Sequence, residues 1–488
     1  MKRPSQNKDF KIRGNWWLPG SSQKVSGDLI CADSRMDLVL YGGLDTVIAQ
    51  SPFHFEHGKG AFPEIHGESL DGLPITLLDA FYTYRKPGIQ SFQVVPGTTV
   101  PLLSSRLHCN LAALGGHHAA NSTFNKCHIE VPSLTTWLAD PVFNFNESDS
   151  SLGNFRVEYS RPKIKEFSLP SHGSVVRIIH SVQLPSIPTT APRIRHKSYI
   201  EIAAAMPQSI EWFVETTGEV MDLFSLLFGG VLNSKRLILV GEHQEEISVY
   251  LPRKRIKQKA YRHFDFVIGS KEALPTFHDV LNNWFSASNA TKQARRMLFS
   301  SERHPSKFIE LRFLPLAHAL EVIAKEFAEP IIPKKEFRPV LDTLLDAVPN
   351  DQPLELQEAI RSSLKHANSR NLRPSIKKTL ESMSLETRSL FCIDPVKFIS
   401  GIVNTRNYYT HYSRPKHLLE GVALHWTIHK LAMMLRIWLL IRSGISEETV
   451  KNCIHRHSTL RPKRDVWREL NEEGLPTRGE THDSDESE

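Results

Sequence analysis

The hydrophobic spacing of this chain changes period partway along its length, and that change limits the folds open to it. Over the first two hundred residues, apolar positions come in short runs bounded by glycine and proline. Leu38-Val39-Leu40-Tyr41 runs into Gly42-Gly43, Ile75 to Tyr82 lies between Pro74 and Pro87, and Ser91 to Val95 precedes Pro96-Gly97. Phe155-Arg156-Val157-Glu158-Tyr159 alternates apolar with polar residues, and Val175 to Ile179 does so more loosely. Such runs predict β-strands separated by turns, and hence a sandwich or barrel-like domain.

Near residue 206 the spacing becomes helical. Ile210, Phe213, Val214, Met221, Phe224, Leu227 and Phe228 predict a helix over 207–228, with Glu211, Glu215, Glu219 and Asp222 as its polar face. Leu237 to Val240 and Ile247 to Tyr250 then read as strands, so the middle region is mixed. From about residue 306 the pattern is helical throughout. Leu316, Leu320, Ile323 and Phe327 form one stripe after Pro315, which suits a first helical turn. Val340, Leu341, Leu344, Leu345 and Val348 mark a second helix, and Leu356, Ile360 and Leu364 a third. Asp394-Pro395 is a cap followed by proline at the first helical position. That helix is expected to end near Thr410, because Arg414 precedes Pro415. Another should run from about His417 to Arg442, with Gly444 as its stop. The expected fold class is therefore α+β and multidomain: a β-rich domain over 1–205, a mixed region over 206–305, a helical bundle over 306–468 and a disordered acidic tail over 469–488.

Composition removes several classes. At 488 residues and 40% apolar, the chain has ample material for buried cores. Its five cysteines are scattered, odd in number and without a CxxC, which argues against a disulfide framework and a cysteine-rich zinc site. The segment MKRPSQNKDF has no apolar stretch of the kind a secretory leader needs. Leu431 to Ile441 is too short to span a bilayer and contains Arg436. A cytoplasmic protein without a membrane partner is expected. No GxxxxGK[ST], GxGxxG or GxSxG occurs, so nucleotide hydrolysis, dinucleotide binding and the α/β-hydrolase elbow lack support, and no cofactor is expected.

The net charge of +7 hides strong local charges. Residues 251–300 carry +7 and residues 401–468 carry +8, while the last twenty residues carry −7. The tail is expected to screen the basic regions or to keep the protein soluble. Arg253, Lys254, Arg255, Lys257 and Lys259 form a run able to grip an RNA backbone, with Tyr261 available for stacking; a solvated loop face explains the same run. Arg370 and Arg373, with Lys377 and Lys378, make a second basic group open to the same two readings.

The chemistry concentrates in Asn404-Thr405-Arg406-Asn407-Tyr408-Tyr409-Thr410-His411. On a helix, Asn407 and His411 are i and i+4 and share a face, with Arg406 at its edge. One pocket would then receive an imidazole, which titrates near neutrality, an amide and a permanent cation. These parts suit metal-free RNA cleavage. His411 would be base toward a ribose 2′-hydroxyl or acid toward the leaving 5′-oxygen. Arg406 would stabilise charge on the phosphorus centre, and Asn407 would orient His411 or the phosphate. Acid and base catalysis together want two groups, which a two-fold dimer of such helices would supply. An ordinary helix end, with Arg406 in a surface ion pair, explains the same residues.

The motif RNYYTH resembles the RxxxxH motif, with a polar residue after the arginine, of HEPN-domain ribonucleases. Gly14-Asn15-Trp16-Trp17-Leu18-Pro19-Gly20, Gly27-Asp28-Leu29 and Tyr41-Gly42-Gly43 are similar to the N-terminal domain of ApeA-like anti-phage proteins, which pair a β-rich domain with a C-terminal HEPN domain. The helix Leu311 to Glu326, containing His318-Ala319-Leu320-Glu321, resembles their first HEPN helix. The resemblance implies Arg406, Asn407 and His411 as catalytic residues, Glu321 as a looser match to a supporting acid, and a homodimer. It implies abortive-infection defence by RNA cleavage, with transfer RNA a candidate substrate and a phage-derived trigger as partner. A non-catalytic sensor of RNA or a phage protein is the alternative.

His425 and His429 are spaced as zinc ligands on a helix, but Trp426-Thr427-Ile428 between them lacks the glutamate of HExxH; packing is the favoured reading and no metal is expected. Trp16-Trp17 reads as a pair of core anchors.

Overall fold

The computed structural model describes residues 3–6, 8–51, 54–57, 60–87, 98–147, 155–184, 193–252, 260–327, 330–348, 353–365, 367–368, 372–411, 418–457 and 460. It divides into two compact units, Met1–Ser225 with Gly230–His263, and Leu226–Gly229 with Phe264–Glu488. The expected middle region thus falls on both sides of the division. The 469–488 tail and the strand expected at Ser91 to Val95 lie outside the described residues.

The first unit carries β1 (Phe10–Trp17), β2 (Val25–Ala32), β3 (Arg35–Leu40), β4 (Thr46–Ser51), β5 (His54–His57), β6 (Ala61–Ser69), β7 (Pro74–Pro87), β8 (Thr98–Leu114), β9 (Thr123–Glu130), β10 (Phe143–Glu147), β11 (Phe155–Tyr159), β12 (Lys165–Leu169), β13 (Ser174–Gln183), β14 (Arg195–Ser209), β15 (Arg236–Val240) and β16 (Glu246–Tyr250). Helix α1 (Leu134–Leu138) accompanies them, as does α2 (Ile210–Phe228) up to Ser225.

The main sheet is antiparallel, in the order β12-β13-β14-β9-β15-β16-β8-β3-β2-β1-β6-β7. Because β7 also pairs with β8, the strands β8, β3, β2, β1, β6 and β7 close into a ring. The long β8 makes closure possible, pairing with β7 along most of its length and with β3 and β16 on its other side. Alternation along each strand fills the ring with Trp16, Leu29, Leu38, Leu40, Ile65, Ile75, Leu77, Leu107 and Cys109, all fully buried.

The segments that carry the N-terminal resemblance meet here. Gly67 on β6 lies against the indole of Trp16: a Cβ there would be 2.2 Å from the ring. Asp28 is buried, accepting from Arg13 Nε at 2.9 Å and from the Tyr41 hydroxyl at 2.6 Å, with Lys11 Nζ at 3.0 Å. The Arg13 guanidinium holds the Asp28 carboxyl well below the usual carboxylate range, against the opposing pull of burial. Only Trp16 is a core anchor. Neighbouring residues on a strand face opposite ways, so Trp17 is half-exposed and packs edge-on against His117 instead.

The expected helix start at Pro207 is corrected to Ile210. Pro207 lies in β14, where the pairing to β9 shifts register between Ala203 and Gln208, and such an irregularity tolerates a residue without an N–H.

The second unit is helical: α3 (Ser270–Ala273), α4 (Phe277–Phe285), α5 (Asn289–Arg303), α6 (Ile309–Glu326), α7 (Lys334–Asp346), α8 (Leu354–Lys365), α9 (Leu372–Glu381), α10 (Leu385–Arg388), α11 (Pro395–His411), α12 (Gly421–Arg442) and α13 (Glu447–Arg456). α6 packs against α5, α9, α11 and α12, burying Phe313, Leu316, Ala319, Leu320 and Ile323. Pro315 is inside this helix rather than in its first turn, because the buried Phe313 extends the apolar stripe one turn upstream of Leu316 and the helix begins at Ile309. α12 begins at Gly421, later than expected, and its apolar run from Leu431 to Leu440 is almost wholly buried. No helix among the described residues is long and apolar enough to cross a membrane.

Candidate active site

The helix bearing the motif is fixed at both ends of its buried stretch. The Asp394 carboxylate accepts from the backbone N–H groups of Val396 and Lys397 at 3.0 and 3.1 Å, a cap that starts α11. Phe398, Ile399, Ile402, Val403 and Thr405 face the core. Gly401 lies under Leu419, and a Cβ there would meet Leu419 Cδ1 at 3.1 Å.

The buried side of α11 thus ends at Thr405, and the next residue reaches toward α6. Arg406 Nη2 donates to Glu321 Oε2 at 2.8 Å, and Nη1 donates to Asn407 Oδ1 at 3.1 Å. A carboxylate on α6 and an amide on α11 hold two sides of one guanidinium. Its Nε is buried and has no hydrogen-bond partner among the described residues. Glu321 is contacted further by Lys325 at 3.8 Å on its other oxygen and by His318 Nε2 at 3.8 Å on Oε2. This carboxylate therefore lies between two cations, Arg406 and Lys325, with the His318 ring beside it.

His411 is the last residue of α11 and is exposed, with no hydrogen bond or ion pair among the described residues. Thr410 Oγ1 donates to the carbonyls of Arg406 and Asn407 at 2.9 and 3.2 Å, tightening the turn between arginine and histidine. Tyr409 packs edge-on against Tyr408 and Phe313, and burial pushes its hydroxyl pKa up. Among the described residues the Asn407 side chain bonds to Arg406 and not to His411, which is one of the two groups it is expected to orient.

Of the expected basic residues, Arg253, Lys254, Arg255, Lys257, Lys259 and Arg370 lie outside the described residues. Arg373 is placed near the site: its Nη2 donates to Asn404 Oδ1 at 2.5 Å, tying α9 to α11 two positions before Arg406. Tyr261 is corrected as a stacking surface. It is buried, with its hydroxyl against Gly230, and offers no face to a base. His425 and His429 sit ring against ring at 4.8 Å, and no group of three metal-capable side chains occurs among the described residues.

His318 lies beside the pair although its place in the sequence gives it no role. The signal was present in the i, i+3 spacing to Glu321, but it gains meaning only once α6 is seen against α11.

A family model described as ApeA N-terminal domain 1 matches residues 11–284, and one described as Apea-like HEPN matches residues 314–449. No curated protein and no solved structure matches the chain.

Proposed function

Because the chain belongs to the ApeA family and ends in an Apea-like HEPN domain, we propose that it is an anti-phage endoribonuclease whose active site is Arg406, Asn407 and His411. The observation that carries the reading is the guanidinium of Arg406, held between Glu321 and Asn407 on the same helix as an exposed imidazole.

The geometry supports general acid–base cleavage without a metal. His411 removes the proton from a ribose 2′-hydroxyl, whose oxygen attacks the adjacent phosphorus. The 5′-oxygen leaves, and the product carries a 2′,3′-cyclic phosphate. Arg406 donates N–H groups to the charge that builds on the non-bridging oxygens. Glu321 and Asn407 limit the rotamers of Arg406, so its orientation is set before substrate arrives. Single-stranded or looped RNA, transfer RNA among it, is the substrate class, and a homodimer in the cytoplasm is the working form. The β-rich unit restrains the nuclease or senses a phage-derived trigger.

The test is RNA cleavage by the wild type beside Arg406→Ala and His411→Ala, each with folding checked by thermal melt and with EDTA present or absent. Cleavage that survives chelation and vanishes in both variants is expected. Equal cleavage by all three proteins would remove the assignment. RNA binding without cutting, accompanied by phage protection that ignores both substitutions, would replace it with a sensor.

A further inference from the structure

We propose that Arg373 is a substrate-binding residue of this site, gripping an RNA phosphate next to the one that is cut. The proposal rests on the ribonuclease reading above and adds to it a place where the strand is held.

Cleavage at one linkage requires the flanking strand to be held in register, and in nucleic-acid recognition phosphate contacts do this. Arg406 is already engaged. Glu321 takes its Nη2 and Asn407 its Nη1, so a carboxylate meets much of its charge. The neighbouring phosphate calls for a second cation that has no anionic partner of its own.

Arg373 answers that description. It is exposed, lies in the first turn of α9, and donates from Nη2 to Asn404 Oδ1 at 2.5 Å. The acceptor is a neutral amide, so the guanidinium is aimed without being neutralised. Among the described residues no carboxylate pairs with it. Nearby cations differ in this respect: Lys377, one turn along α9, pairs with Glu381 at 3.8 Å, and Arg406 pairs with Glu321. The first turn of α9 holds no acid, and a cation there opposes the helix dipole, which favours negative charge at an N-terminus. Arg373 thus sits where folding gains little from it and an incoming anion gains most.

Asn404 sets the direction. Asn404, Asn407 and His411 are i, i+3 and i+7 on α11 and share one face. At 1.5 Å per residue, Asn404 and His411 are about 10 Å apart along the axis. Arg373 is therefore moored to the face that carries the imidazole but displaced along it, which places it at a neighbouring phosphate rather than the scissile one. A strand laid along that face meets Arg373 at one linkage and His411 at another. Arg373 transfers no proton, so its grip serves the reaction whichever way two copies of α11 complete the reacting centre.

The test measures binding of the full-length chain to a single-stranded 2′-O-methyl oligonucleotide, which has no 2′-hydroxyl to attack, over a range of salt concentrations. Each phosphate neutralised on a single strand contributes about 0.7 to the slope of log K against log salt. Arg373→Ala is expected to weaken binding and to lower that slope by about 0.7, with Tm unchanged. Arg373→Lys should keep the slope, because it keeps the charge. Asn404→Ala should bind more weakly with the slope kept, because the cation remains and loses only its direction. In cleavage, Arg373→Ala should raise KM and leave kcat near the wild-type value.

Equal affinity and slope for wild type and Arg373→Ala would overturn the proposal and leave the ribonuclease reading standing. A loss of affinity with the slope unchanged would also overturn it, by making the bond to Asn404 structural. If the resting chain does not bind the probe, phage plating decides. Protection lost in Arg373→Ala and kept in Arg373→Lys supports the proposal, and any other pattern overturns it. A wild type that neither binds, cuts nor protects removes the underlying reading.

Discussion

The backbone N–H of Leu419 donates to the hydroxyl of Thr405 at 3.0 Å, across the point where the chain leaves α11 and returns to the bundle. Thr405 is fully buried and directly precedes Arg406, so this bond fixes the residue from which the guanidinium extends. Thr405→Val keeps the shape and strands the N–H. A loss of about 1–3 kcal/mol is expected, read as a lower Tm, whereas Thr405→Ser should lose less. A Thr405→Val protein as stable as the wild type would show that the bond contributes nothing.

Glu321 is the arginine's fixed partner, and its removal should separate catalysis from stability. The pair is mostly buried, and glutamine keeps an acceptor oxygen for the guanidinium, so Glu321→Gln should cost about 1–3 kcal/mol and leave a folded protein. Cleavage should fall on the order of 10²-fold, because Arg406 loses the charge that sets its direction. Unchanged cleavage in a folded Glu321→Gln protein would show that Arg406 orients itself.

Acid should destabilise the first unit in two separate windows. Burial lowers the pKa of His66, His118, His180 and His196, and stacked neighbours add to this for His66 with His117 and for His180 with His196. The unfolded chain takes up these protons first, so their contribution is complete above about pH 6.5 and shrinks as the pH falls below it. Glu201 behaves differently. Its hydrogen bond to His128, with Arg177 and Lys126 nearby, holds its carboxyl down at about 2 although burial opposes this. Its contribution is intact above the ordinary value of 4.5 and is lost as the pH falls toward 2. Urea melts across pH should show His118→Gln flattening the upper window alone and Glu201→Gln flattening the lower one. A single transition unaffected by either would contradict both assignments.

Gly67→Ala should fail to fold stably. The added carbon would overlap Trp16, whose ring is fully buried inside the closed strands and has nowhere to move. Combining it with Trp16→Leu should recover soluble protein, and a stable Gly67→Ala single variant would show that the ring can shift.

Much of the molecule is legible in the chain because it is written in local periods. The helical spacing of Leu316, Leu320 and Ile323, the Asp394-Pro395 start, the apolar run in β7 and the alternation in β11 all correspond to elements of the fold. Arg406, Asn407 and Glu321 could be picked out as types, and the structure brings those three together. What local period does not encode is which distant segments meet. The pairing of β7 with β8 that closes the strands left no mark in either run. Nor does a tyrosine beside a basic run announce that its ring is buried, as Tyr261 is. His318 belongs to the same class: its place beside Arg406 depends on how α6 packs on α11.

Arg406 and Glu321 are 85 residues apart in the chain. Synthesis therefore delivers the two halves of this site at different times, α6 first and α11 after the four helices α7 to α10. On the ribosome, a chain that has displayed Glu321 has no arginine to orient, and the β-rich domain has already been released to fold. The site comes into being only when a late segment packs on an earlier one. A chain cut short before α11 therefore carries the carboxylate without the guanidinium it pairs with.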